Sequence, residues 1–196
     1  MTTFGKLSPS ITSMIRLDHA HAMSTWHGYS ADATATRKKA IVDVLCLALE
    51  VHAQLEEEIF YPALREVAAG NPALEKSRPE HDEMRSVIAR LRAMKPEDPA
   101  YDEAVQQLMR GVIHHVADEE AVLLPLAERQ LGPRLGELGA QMTKRRLALV
   151  SPHAPELALN HAKAMPMATA LLAGGALAAG LLLKKSFSSS SHSRWH

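Results

Sequence analysis

Two segments far apart in the chain carry the same unusual arrangement, and it restricts the fold more than any other feature. His52-Ala-Gln-Leu-Glu56-Glu57-Glu58-Ile-Phe-Tyr-Pro62 and His115-Val-Ala-Asp-Glu119-Glu120-Ala-Val-Leu-Leu-Pro125 each read His, three residues, Glu, Glu, then a proline ten positions after the histidine. In an α-helix the His and the first Glu lie one turn apart on one face, so both side chains reach the same point. The repeat extends upstream to a lone histidine: His52 lies 33 residues after His19, and His115 lies 34 after His81. Such a duplication makes a bundle with approximate two-fold symmetry whose halves share one centre.

Apolar periodicity supplies the helices. Ile11, Ile15, His19, Ala22 and Trp26 recur at steps of three or four between Ser8 and about Tyr29, which places them on one stripe. A longer helix starts near Thr36, with Ile41, Leu45, Ala48, His52, Leu55 or Glu56, and Ile59 on its inner face, and ends around Ala69 and Gly70, a glycine suited to a helix C-terminus. The third runs from Pro72 to Met94 between the start signal Asn71-Pro72 and the stop Lys95-Pro96, with His81, Met84, Ile88 and Leu91 inward. The fourth, Tyr101 to Gln130, repeats Val105, Leu108, Val112, His115, Glu119, Val122 and Leu126. Pro62, Pro79 and Pro125 should bend or stop these runs. Short connections favour antiparallel neighbours, so the expected fold is all-α: an up-down-up-down four-helix bundle over residues 8–130.

Residues 131–163 read as an accessory helix, Pro133 to Val150, ended by Pro152 and Pro155. Residues 164–196 form an apolar tail: Ala, Leu and Gly from Pro166 to Leu183, then Lys184, Lys185 and a Ser-rich end. The segment 166–183 just reaches bilayer-spanning length; a membrane anchor, a helix packed on the bundle and a loosely ordered tail are its three readings. Met1 to Lys6 lacks the pattern of a secretory signal, which suggests a cytoplasmic protein, tethered to the inner membrane face if the tail is an anchor. The 22 basic and 22 acidic side chains cancel, so nothing in the charge points to nucleic acid. A single cysteine, Cys46, rules out an intramolecular disulfide and a Cys-based metal cluster; it reads as a small core residue or, alternatively, a reactive thiol.

Eleven histidines are the one compositional excess. A lone His on an apolar stripe is ordinarily a hydrogen-bonded core residue, and one H-x-x-x-E pair is ordinarily a surface pair. Here both pairs and both lone histidines fall on stripes that should be buried, where each would cost about 1 to 3 kcal/mol without a partner. His19, His52, Glu56, His81, His115 and Glu119 are therefore the candidate metal ligands. Imidazole with carboxylate suits iron, manganese or zinc. Four His and two Glu exceed one tetrahedral zinc, and two central carboxylates able to bridge cations argue for two metals. Glu57, Glu58, Asp118 and Glu120 step off the inner face, as solvated groups or as contacts behind the ligands. His114 with Asp118 competes with His115, and the repeat register favours His115.

This order, His, H-x-x-x-E, His, H-x-x-x-E, over about Ser8 to Gln130 resembles the hemerythrin HHE cation-binding family. The resemblance implies two non-haem iron ions joined by an oxo bridge, with zinc or manganese as alternatives, terminal ligands His19, His52, His81 and His115, and bridging Glu56 and Glu119. Oxygen carriers of the family add a second His and an Asp at positions occupied here by Arg85 and Glu120. The chain is thus closer to the members that process peroxide or nitric oxide and to the di-iron part of iron-centre repair proteins, although it lacks the latter's Cys-bearing segment. Open metal positions would take O2, peroxide or NO. Among extra ligands, His21 points about 200° away from His19, His27 and Tyr29 lie too far along the axis, and Tyr61 is a candidate. Expected functions are oxidant binding or turnover, with a role in oxidative stress; iron sensing or storage without turnover; or a membrane-tethered scaffold. Ferritin-type E-x-x-H spacing is absent around these histidines.

Overall fold

The computed structural model describes residues 9–164; the segment 166–183 with its Ser-rich end, and the N-terminal Met1 to Lys6, lie outside them. Among the described residues the secondary structure is all helical: α1 (Ile11–His27), α2 (Ala35–Leu55), a π-turn π1 (Glu56–Phe60), α3 (Tyr61–Ala68), α4 (Pro72–Ala93), α5 (Tyr101–Asp118), a second π-turn π2 (Glu119–Leu123), α6 (Leu124–Leu131), α7 (Arg134–Val150), a 3₁₀ turn (Ser151–His153) and α8 (Ala154–Ala164). α1, α2–π1–α3, α4 and α5–π2–α6 are the four rods of an antiparallel bundle.

Starts and stops follow local chemistry. The side chains of Ser10, Thr34 and Asn71 accept hydrogen bonds from the first-turn amides of α1, α2 and α4, filling donors that a helix N-terminus leaves open. Pro72 occupies the first turn of α4, where its missing N–H costs nothing. Gly70, with φ +78°, takes the left-handed conformation that closes the second rod.

The core has two apolar clusters with a polar layer between them. Ile11, Ile15, Leu55, Phe60, Leu64, Leu74, Leu123 and Leu131 belong to one cluster; Ala22, Leu45, Cys46, Ile88, Leu91, Tyr101, Leu108 and Val112 belong to the other. Each rod passes from one cluster to the other, α1 and α4 in one direction, α2 and α5 in the opposite one. The six candidate ligands sit at the crossing level and are 0–7% exposed.

Two expectations need correction. An unbroken α-period turns Ile59 and Val122 inward; instead Phe60 and Leu123 are fully buried, Ile59 is half-buried, and Val122 is 40% exposed. Leu126 likewise yields to Ala127. The cause is the π-turns, each of which inserts one residue into the ladder. The amides of Tyr61 and Leu124 donate to the carbonyls five residues back, of Glu56 and Glu119. Pro62 and Pro125 follow at once; neither can donate to the carbonyl four residues back, and each ring would collide with it in a regular α-turn. Second, α7 ends at Val150 as expected, but Pro152 and Pro155 do not open a linker. They fall in the first turns of the 3₁₀ segment and of α8, and α8 lies against α2.

Candidate metal centre

Four rods deliver the polar layer. From α1 comes His19, from the end of α2 His52 and then Glu56, from α4 His81, from the end of α5 His115 and then Glu119. His19 Nε2 lies 3.2 Å from Glu119 Oε2, and His52 Nε2 lies 3.2 Å from Glu56 Oε2. His81 Nε2 is 3.4 Å and His115 Nε2 is 3.9 Å from the same Glu56 oxygen. The donor atoms fall into two overlapping groups, His19, His52, Glu56 and Glu119 in one and Glu56, His81 and His115 in the other, each within 4.8 Å. The structure thus brings all six sequence-selected residues together.

All four histidines are held in the same way. His19 Nδ1 faces Glu120 at 2.9 Å, His52 Nδ1 faces Asp18 at 3.3 Å, His81 Nδ1 faces Glu57 at 3.0 Å and His115 Nδ1 faces Glu80 at 2.9 Å. A carboxylate only accepts, so each Nδ1 carries a proton and donates it, and each Nε2 is the atom turned toward the centre, where it can offer its lone pair to a cation. The carboxylates are tied to cations: Glu120 to Arg16, Asp18 to Arg146, Glu57 to Arg85 and Glu80 to Lys76. The duplication is visible here too. The residue before each lone His serves the H-x-x-x-E histidine of its own half, and the residue after each ligand Glu serves the lone His of the other half.

Glu57 and Glu120 therefore stand behind the ligands, whereas Glu58 pairs with Arg145 and Asp118 with Lys76. Asp18 and Glu80 were missed in the sequence; the signal that could have found them is an acid immediately before each lone histidine. Arg85, at the position where carriers have a ligand His, holds Glu57 instead. His114 is exposed beside Glu80 and Asp118, and His115 is the buried partner. His21 and His27 are exposed, and Tyr29 donates to Asp102; none enters the layer.

Tyr61 does. Its hydroxyl lies 3.1 Å from Glu56 Oε2, 2.9 Å from Glu119 Oε1 and 3.4 Å from His81 Nε2. The π-turn makes this reach available, because five residues complete one of its wider turns. The mate of Tyr61 in the second half is Leu124, so the centre's symmetry breaks at this hydroxyl.

The residues present fit a cation. His19 Nε2, His52 Nε2, Glu56 Oε1 and Glu119 Oε2 are buried without a hydrogen-bond partner, although each costs about 1 to 3 kcal/mol in that condition. The Nε2 atoms of His81 and His115 stand 3.1 Å apart, close enough to share a proton, and a cation can take that proton's place between them. Burial opposes ionisation of Glu56, yet His52, His115 and His81 hold its carboxyl well below the usual range. Burial likewise opposes charge on His115, but Glu56, Glu80 and Glu119 push it up to about 10, so without a metal its ring holds a second proton that a cation at the centre would displace. Burial and the two ligand carboxylates keep Tyr61 a neutral phenol. The pocket's field thus favours positive charge at its centre.

A helical bundle with a buried nest of imidazole and carboxylate donors is a metal-binding protein in its class. The sequence pattern of the hemerythrin HHE cation binding domain matches residues 10–127, and the chain belongs to that family. A hemerythrin HHE cation binding domain-containing protein from Mycobacterium kansasii has a similar crystal structure, with a TM-score of 0.64 over 76% of this chain and 92% of that one at 19% identity; this likeness concerns the fold. A protein of Nostoc sp. (strain PCC 7120 / SAG 25.82 / UTEX 2576) described as a DNA nickase is 25% identical over 126 residues, 64% of this chain. The match spans 36% of that relative's length.

Proposed function

We propose that the chain is a non-haem di-iron protein that binds a small oxidant, O2, peroxide or NO, at the polar layer of its bundle. One iron would be held by His19, His52, Glu56 and Glu119, the other by His81 and His115 together with Glu56, with Glu119 in reach of both groups. The observation that carries this reading is the set of four inward Nε2 atoms around two shared carboxylates, each imidazole fixed from behind by its own carboxylate. Zinc in a structural site takes four ligands; six donors in two groups sharing a carboxylate suit a metal pair. When bound, the irons supply electron exchange with the oxidant. The chain's own part is distinct. Asp18, Glu57, Glu80 and Glu120 fix tautomer and ring orientation, the two apolar clusters keep bulk water out, and Tyr61 holds a proton between Glu56 and Glu119.

Lacking a charge excess, the chain is read as acting without nucleic acid, and its lone buried thiol fits a reducing, cytoplasmic setting. No helix among the described residues is long and apolar enough to cross a membrane. Metal analysis of the aerobically purified full chain tests the proposal: about two irons per chain with a near-ultraviolet charge-transfer band that changes on adding peroxide or NO. One zinc per chain without such a band overturns it. Two irons whose spectrum ignores all three oxidants would instead favour iron sensing or storage.

A further inference from the structure

Beside the polar layer lies a cavity of about 200 Å³ that extends away from three of the six metal-binding residues. Buried His19, His52 and His115 contribute to its lining, and apolar side chains including Ala48, Met84 and Val112 form its walls. The accessory helices complete it, with Val150 at the end of α7 and Leu157 of α8. Arg146 also lines it; Asp18 holds two of its nitrogens at 2.5 and 2.6 Å and balances its charge, while its buried Nε has no hydrogen-bond partner.

The size of the cavity exceeds what a diatomic oxidant or hydrogen peroxide needs, since an apolar cavity of about 150 Å³ already admits benzene. Exposed His21 and His161 line it as well, and mostly apolar walls with a small number of polar groups are the usual form of a site for an organic molecule. We propose that this cavity is a binding chamber for a neutral organic molecule of about eight to ten heavy atoms. The apolar body would lie against α2, α5 and α8, and one small polar head, a hydroxyl or hydroperoxide, would sit at the end where His19, His52 and the unpartnered Nε of Arg146 line the cavity. The hydroperoxide head rests on the oxidant-binding reading above; the fit to an apolar body does not.

The test is calorimetric titration of the full-length, metal-loaded protein with 2-phenyl-2-propanol, an unreactive alcohol of the required shape. Saturable binding of one molecule per chain is expected. Ala48→Phe, which fills the chamber from α2, and Leu157→Trp, which fills it from the half-buried face of α8, should each weaken binding at least tenfold with metal content unchanged. Leu157→Trp alters an accessory helix and keeps the test valid if Ala48→Phe fails to fold. Absence of saturable binding, or binding untouched by Leu157→Trp, overturns the chamber. If the alcohol binds while peroxide and NO leave the metal spectrum unchanged, the chamber stands and the oxidant reading falls; if the spectrum responds and the alcohol does not bind, the chamber alone falls.

Discussion

At the level of single residues, the layer shows why some functional positions stand out in a sequence and others do not. His19, His52, Glu56, His81, His115 and Glu119 interrupt apolar stripes, and polar groups at positions that must be buried demand a partner. Asp18 and Glu80 are equally close to the imidazoles, yet hydrophilic residues one step off a stripe look like ordinary solvated ones. Their roles give a direct prediction. Asp18→Asn and Glu80→Gln should each lower metal affinity by about 10- to 100-fold with helicity unchanged, as read by chelator competition; a change below twofold in both would remove them from the site. For Cys46 the sequence allows a core residue or a reactive thiol, and burial decides for the core, at 1% exposure. Burial is also the main cause pushing its thiol up to about 12. Because the native state favours the neutral thiol, its contribution to stability is whole below the ordinary thiol range and is lost as pH climbs through it toward 12, at up to about 1.4 kcal/mol per unit. Native protein at pH 9 should react with iodoacetamide at least 100-fold more slowly than urea-unfolded protein; equal rates would contradict the buried placement.

At the level of elements, helix starts were legible because capping residues and prolines act locally, and rod directions because the connections are short. The π-turns were not. A proline ten residues after each His signals trouble for an α-ladder, but bending, stopping and widening are all open to the chain, and tertiary packing chooses among them. Widening places Tyr61 over the two carboxylates and turns Phe60 and Leu123 into the core. The register shift predicts a particular order of stabilities in urea unfolding. Leu123→Ala should cost about 2 to 5 kcal/mol, whereas Val122→Ala should cost under about 1 kcal/mol at its exposed position. An unbroken α-helix would reverse that order.

At the level of the whole molecule, the bundle, the accessory helices and the layer form one structure. α7 approaches the start of α1 so closely that a Cβ on Gly139 would stand 2.1 Å from the Pro9 carbonyl oxygen. Backbone cannot swing aside as a side-chain tip can, so Gly139→Ala should destabilise by about 1 to 3 kcal/mol and lower Tm by about 2 to 4 °C per kcal/mol. No periodicity in α7 announces this contact, since it depends on the partner element. The polar layer sets a second, opposite demand on stability. Two apolar clusters are joined across six buried polar side chains, and without a cation four of their atoms have no hydrogen-bond partner. Metal that binds only the folded chain adds about 4 kcal/mol at a thousandfold excess over Kd, so its removal should lower Tm by several degrees. A variant with all six residues changed to Leu separates loss of binding from intrinsic cost. Replacing a buried charged cluster with apolar side chains is often neutral or stabilising, so this variant should melt at or above the metal-free natural chain and show no response to iron. A natural chain whose Tm is indifferent to metal removal would mean that the layer is satisfied without a cation.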